Sequence, residues 1–216
     1  MDKCEAVLKL LLEAVQSNLF YAEVKEVMNE IPVGVSNRHV HLSQEDLNSL
    51  FGEGYQMTKM KDLSQPGQYA CKETVTICGP KGAIEKVRII GPIRNKTQVE
   101  VLTADSFKLG VVSQVRLSGD LYGTPGITLI GPKGSIQTTE GLLVAQRHIH
   151  MTPEDAQRFD VHDGQTVCIQ VNGLRGGIYN NVAIRTDDAA PLECHIDTEE
   201  ANAMNLNSLS KVIIIK

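Results

Sequence analysis

The stretch Asn37-Arg38-His39-Val40-His41-Leu42-Ser43-Gln44-Glu45-Asp46 has a second copy in Gln146-Arg147-His148-Ile149-His150-Met151-Thr152-Pro153-Glu154-Asp155. Each runs Arg-His-β-branched-His, then an apolar residue, a hydroxyl residue and an acidic pair. Four of the chain's 6 histidines sit in these two phrases, so any imidazole chemistry has to start there. Alternate side chains of a strand share a face. His39 and His41 therefore point one way, and so do His148 and His150. Two imidazoles at that spacing suit a single metal ion. Ser43 with Asp46, and Thr152 with Pro153 and Asp155, are helix-start signals. Each copy thus predicts a strand running into a short helix, and two copies predict an internal duplication.

Working outward, each His pair needs a third ligand. Setting Thr76–Leu109 beside Cys168–Ala203 brings Glu100 and His195 to equivalent places. The candidate sites are His39, His41 and Glu100 in one half, and His148, His150 and His195 in the other. Three protein ligands with one position left open is a catalytic zinc pattern, not a closed structural one. His162, in His162-Asp163-Gly164, reads as a turn residue. Arg94 stands six residues before Glu100 and offers planar donors to a phosphate or carboxylate oxyanion. Arg38 and Arg147 point to the opposite strand face and read as scaffold or ion-pair residues.

The text between the phrases reads as short strands and turns: Ile31–Val35, Thr74–Ile77, Val87–Ile90, Gln98–Leu102, Ile127–Ile130, Gly141–Ala145, Thr166–Val171, Asn181–Arg185, Glu193–Ile196 and Val212–Ile215. Strands of that length and spacing predict small barrels or sandwiches. Asp105–Leu109 and Thr198–Met204 read as brief helices, and 55–72 as irregular. Gly79-Pro80-Lys81-Gly82 and Gly131-Pro132-Lys133-Gly134 lack the length and following helix of a phosphate loop, so they read as hairpin turns.

Ahead of the repeat, residues 2–16 form an amphipathic pattern. Asp2 and Glu5 make a capping box, and Cys4, Val7, Leu8, Leu11 and Val15 line one face. Residues 21–30 read as a weaker helical segment. The apolar stretch is broken by Glu5, Lys9 and Glu13, unlike a signal peptide, and no run approaches a membrane span. These features place the protein in the cytoplasm. A net charge of -5 and only 4% aromatic residues argue against a nucleic-acid or anionic-membrane binder. The 5 cysteines are odd in number, with no Cys-x-x-Cys, and read as free thiols. Cys194, beside His195, reads as a small buried residue before a ligand or nucleophile.

The phrases Asn-Arg-His-Val-His-Leu, Gln-Pro-Gly-Gln-Tyr (65–69), Gly-Pro-Ile-Arg (91–94) with Gln-Val-Glu (98–100), Gln-Arg-His-Ile-His-Met and Asn-Asn-Val-Ala-Ile-Arg (180–185) together resemble the PduL-type phosphate propanoyltransferases. The resemblance runs from about Pro32 to the C-terminus. It implies a phosphotransacylase that interconverts an acyl-CoA plus phosphate with an acyl phosphate plus CoA. It further implies two helix-capped β-barrels with two zinc ions between them. One ion would be held by His39, His41 and Glu100, the other by His148, His150 and His195, with Arg94 as the catalytic arginine. Ser36, Lys61, Arg88 and Asn202 would hold CoA.

The resemblance also implies interlaced barrels, one built from 29–37 plus 146–216 and the other from 38–145, after an N-terminal extension over 1–28. Members housed in bacterial microcompartments, as in propanediol degradation, carry an N-terminal amphipathic helix. Residues 2–16 resemble that encapsulation peptide, which would dock on a shell or cargo protein. A homo-oligomer is left open. Two other functions fit the same residues: a zinc-dependent hydrolase of thioesters or acyl phosphates, and a non-catalytic interaction module stabilised by zinc.

Overall fold

A computed structural model describes residues 29–215. The helical patterns over 2–16 and most of 21–30 lie outside them. At the junction Asn29 is in a turn and Glu30 already belongs to a strand. The helical reading fails there because Pro32 and Val33 follow and favour extended backbone.

The first unit is a closed six-stranded barrel. Its strands are β1 (Glu30–Ser36), β11 (His148–Met151), β12 (Thr166–Val171), β13 (Gly177–Thr186), β14 (Glu193–Asp197) and β15 (Lys211–Ile215), in the order β1-β14-β11-β13-β12-β15. Inward-facing β-branched residues fill it, among them Ile31, Val33, Ile149, Ile169, Val182 and Ile184. Burial alternates along β12 as the period of a half-buried strand requires.

The second unit is a nine-stranded sheet. It holds β2 (His39–His41), β3 (Lys59–Asp62), β4 (Tyr69–Cys78), β5 (Ala83–Gly91), β6 (Gln98–Glu100), β7 (Gln114–Arg116), β8 (Thr128–Ile130), β9 (Ser135–Gln137) and β10 (Leu142–Ala145). Its core is separate and includes Val40, Ile77, Ile89, Leu129 and Leu142.

The two units share one pairing scheme. In each, the His-x-His strand lies between a parallel neighbour (β5 or β13) and an antiparallel one (β6 or β14). The strand leading into the first His-x-His, β1, pairs parallel with β14 of the barrel. The strand leading into the second, β10, pairs parallel with β6 of the sheet.

Two expectations need correction. The second unit is an open sheet, not a closed barrel. Where the barrel closes through the β1–β15 ladder, the sheet has no such ladder: among the described residues β10 meets the segment before β8 through one backbone bond, from Leu142 N to Pro125 O at 2.9 Å. Pro125 has no N–H to return, and Gly141 N donates instead to the Thr124 hydroxyl at 2.9 Å. The segment 55–72 is not all irregular, for it contains β3 and the start of β4.

Among the described residues four short helices complete the fold: α1 (Gln44–Phe51), α2 (Asp105–Leu109), α3 (Pro153–Phe159) and α4 (Thr198–Met204). The Ser43 side chain accepts from Asp46 N to cap α1, and Thr152 and Asp155 form a reciprocal capping box on α3. Both Gly-Pro-Lys-Gly segments are hairpin turns, closed by Gly79 N to Gly82 O and Gly131 N to Gly134 O at 2.9 Å each. They also pin helix ends. Lys81 N donates to Leu109 O at 3.1 Å, and Lys133 N to Leu50 O at 3.0 Å, satisfying last-turn carbonyls.

Candidate metal centre and substrate cavity

Strand register brings each ligand set together. His39 lies directly opposite Glu100, and His148 directly opposite His195. Within each set the ligand atoms lie within 4.8 Å of one another. The His39 Nε2 to Glu100 Oε2 distance is 3.4 Å, and His148 Nε2 to His150 Nε2 is 3.0 Å. Four ligands about 2.0–2.2 Å from a tetrahedral ion stand roughly 3.3–3.6 Å apart, so small side-chain shifts close either set on one. Imidazole with carboxylate suits zinc and its neighbours among the divalent first-row metals.

The ring orientations are set from behind. His39 Nδ1 lies 2.7 Å from Asn37 O, His41 Nδ1 3.1 Å from Ile90 O, and His148 Nδ1 2.8 Å from Gln146 O. A carbonyl oxygen only accepts, so each Nδ1 carries the proton. That leaves the Nε2 lone pair of the neutral ring for a metal. His195 differs, because its Nε2 lies 2.5 Å from Glu193 Oε2. Glu193 also accepts from Ser64 Oγ at 2.5 Å, and these contacts hold its carboxyl below the usual range.

Burial and neighbouring cationic partners push His41 down to about 3, His148 to about 4 and His150 to about 3. These rings are neutral at pH 7, the form that binds a metal. Burial opposes ionisation of both His39 and Glu100, but the two outweigh it for each other. The imidazole is raised and the carboxyl held well below its ordinary value.

Both ligand sets line one cavity of about 370 Å3 at the junction of the units. Ser36 and Arg94 line it too. So do residues that carried no expectation of their own: Gln65, Gln68, Ser118 and Arg185. Arg185 sits opposite His150 in the β11–β13 ladder, on a strand the sequence did show. Gln65 Nε2 lies 2.5 Å from His150 Nε2. Ser118 takes one N–H from each arginine, Arg94 to its hydroxyl and Arg185 to its carbonyl, both at 3.3 Å. The Gln98 amide joins Ser118 (2.8 Å) to Glu100 (2.6 Å).

A second cavity of about 270 Å3 adjoins the first and shares Ser36, His39, Leu63, Gln65, Ile90 and His195 with it. Arg88 lines it, anchored by NH1 to the carbonyls of Cys71 (2.9 Å) and Lys72 (2.7 Å). Lys61 is exposed on β3 and lines neither cavity, though it pairs with Ala70, which lines the second. Asn202 is exposed on α4, and its carbonyl accepts from Arg175 at 3.0 Å. Arg38 and Arg147 form ion pairs with Asp105 and Glu200 at 2.8 and 2.9 Å, as read from the sequence. Cys194 is fully buried and its thiol is pushed up to about 12. His162 lies in the turn before β12, joined to neither cluster.

A family model described as phosphate propanoyltransferase matches residues 32–207. A phosphate propanoyltransferase of Thermotoga maritima is 54% identical over 198 residues, covering 90% of this chain and 94% of its own length. That of Rhodobacter capsulatus is 53% identical over 186 residues, 86% of each chain. That of Clostridioides difficile is 48% identical over 205 residues, covering 92% of this chain and 98% of its own.

Proposed function

The chain belongs to the phosphate propanoyltransferase family, a family of phosphate acyltransferases, and from that premise we propose that its acyl transfer between CoA and phosphate takes place at a dinuclear zinc centre. One zinc is held by His39, His41 and Glu100, the other by His148, His150 and His195. The arrangement that carries this reading is Arg94 and Arg185 on the wall of the cavity both clusters share. Each guanidinium makes a single side-chain hydrogen bond among the described residues. Burial, and then Arg185, push the Arg94 guanidinium below its ordinary value despite the pull of Glu100. Two such groups beside neutral imidazoles favour an oxyanion between them.

In the reaction a phosphate oxygen attacks the thioester carbonyl. The C–O bond forms, the C–S bond breaks, CoA leaves as thiolate, and the phosphate proton goes to solvent. When bound, the metal pair supplies Lewis acidity at the developing charges. Arg94 and Arg185 hold and orient the phosphate, with Ser118 fixing where the two guanidinium groups stand. Ser36 and Arg88 line the adjoining cavity on the CoA side. Lys61, beside it on β3, and Asn202 on α4 are further CoA contacts. With Cys194 buried and its thiol protonated, a cysteine acyl-enzyme has no support, which favours direct transfer.

The test is release of CoA from propanoyl-CoA with and without phosphate, with the acyl phosphate followed by phosphorus NMR. CoA appearing equally fast without phosphate would favour the hydrolase instead. Acetyl- and butanoyl-CoA belong in the same assay, because one methylene is worth only about 1–3 kcal/mol of discrimination.

The shared pairing scheme and the equivalence of the two histidine phrases support an internal duplication. Its units are 29–37 with 146–216 and 38–145. The amphipathic pattern over 2–16 supports an encapsulation peptide that docks on a microcompartment shell or cargo protein. Removing residues 1–28 would then leave activity intact and abolish co-purification with shells. Among the described residues no helix is long and apolar enough to cross a membrane.

A further inference from the structure

Arg94 has two sides. It lines the cavity of the histidine clusters, and it also lines a separate cavity of about 730 Å3 that opens beyond it. The partition between the two is built from Arg94 and Gly119, which border both. It is held by the 3.3 Å hydrogen bond from Arg94 NH1 to Ser118 Oγ. That bond is at the long end of the range, and a guanidinium has four more N–H donors.

The outer cavity has a mixed wall: besides Arg94 it is lined by the polar Asn95, Lys96, Gln98, Asp120 and Glu140 and by Ile93, Leu121 and Tyr122. The two carboxylates already have cationic partners, Glu140 with Lys96 at 2.7 Å and Asp120 with Arg116 at 3.7 Å. Arg94 is therefore the uncommitted charge of the outer cavity. No residue is common to this cavity and the Arg88 cavity, which lies on the other side of the clusters and carries the apolar side chains Val35, Leu63, Ala70 and Ile90. The Arg88 cavity, where Arg38 is committed to Asp105, has the apolar wall that suits the long arm of CoA, while an approach that ends on Arg94, with Asn95 and Lys96 on its wall, suits a small oxyanion.

We propose that the Asn95–Lys96–Arg94 cavity is the port for the phosphate oxyanion, arriving as inorganic phosphate and leaving as the phosphoryl end of the acyl phosphate, while CoA uses the opposite cavity. This rests on the acyl-transfer reading above and adds to it separate routes for the two substrates. With separate routes, phosphate reaches Arg94 without passing the bound thioester.

The experiment uses the full-length, metal-loaded protein. Lys96→Glu reverses the charge at the port, Asn95→Trp narrows it without changing charge, and Val35→Trp narrows the opposite cavity. KM is measured for phosphate and propanoyl-CoA in one direction, and for propanoyl phosphate and CoA in the other. Lys96→Glu and Asn95→Trp are expected to raise KM for phosphate and propanoyl phosphate about 10-fold, with kcat at saturation kept. KM for CoA and its ester is expected to hold, and Lys96→Arg to restore the phosphate value. Val35→Trp is expected to do the reverse. Equal rises for both substrates, or no rise for the phosphate-bearing ones in variants with unaltered melting and metal content, would overturn the port. Wild-type protein that releases CoA at the same rate without phosphate would overturn acyl transfer itself, before any variant is made.

Discussion

At His39, His41 and His148 a backbone carbonyl behind the ring fixes which nitrogen faces forward. That is a property of single residues, and removing one ring removes one site. His148→Ala is expected to lose about one of two bound metal equivalents and at least roughly 10²-fold in kcat/KM; metal analysis and phosphate-dependent CoA release check both. The depressed values at His41, His148 and His150 also predict a pH dependence. In the unfolded chain these rings bind protons below about 6.5, whereas in the folded chain they stay neutral down to about 3 or 4. The unfolded state thus holds more protons in that window, and stability rises with pH across it. His39, raised in the folded state, acts in the opposite sense but is one ring against three. Chelator-stripped protein is therefore expected to melt at lower temperature as pH falls from about 6.5 towards 4. The histidines were legible because they repeat in identical surroundings, and Glu100 and His195 because strand spacing makes them equivalent. Ser118 was not, since a lone serine in a loop carries no periodic signal. Glu193 shares a strand face with His195, so its contact was within reach of the pattern.

Among the elements, the two Gly-Pro-Lys-Gly turns show what the hairpin reading leaves out. The first glycine of each lies against a helix end. A Cβ on Gly79 would sit 2.2 Å from Leu109 O, and one on Gly131 2.5 Å from Leu50 O. Gly131→Ala is expected to cost about 1–3 kcal/mol of stability with little effect on kcat below the melting transition, as thermal or urea denaturation will show. Gly34 on β1 has a different neighbour. A Cβ there would stand 2.8 Å from Glu193 Cδ and 3.1 Å from His195 Cδ2. Gly34→Ala is expected to displace both side chains and lower kcat/KM by roughly 10²-fold with the fold kept. β3 escaped the sequence reading for a plain reason. Lys59-Met60-Lys61-Asp62 is exposed throughout, so neither alternation nor an apolar run marks it.

For the whole molecule the decisive feature is the exchange of lead-in strands. Gly34 pairs with His195 across β1–β14, and Leu143 with Glu100 across β10–β6. The third ligand of each cluster thus lies against the strand that leads into the other. The sheet unit draws all its strands from 38–145, but the barrel needs β1 between β14 and β15. A 146–216 fragment is therefore expected to stay unfolded, and joining 29–37 to its C-terminus by a short linker to restore structure, followed by circular dichroism. No local pattern in the sequence reveals this exchange, because strand partners are chosen by long-range closure.

The barrel's geometry also bears on how the protein is made. Ser36 O accepts from Thr198 Oγ1 across a separation of 162 residues. At 5–20 residues per second of translation, β1 leaves the ribosome roughly 8–30 s before its partners exist. Through that interval it is a bare strand edge in a crowded cell. Its sequence, Glu30-Ile31-Pro32-Val33-Gly34, is suited to the wait. A charge, a proline without an N–H and a flexible glycine all discourage pairing with the wrong chain. The same short strand that seats between β14 and β15 in the finished barrel is thus built to discourage wrong partners while it waits.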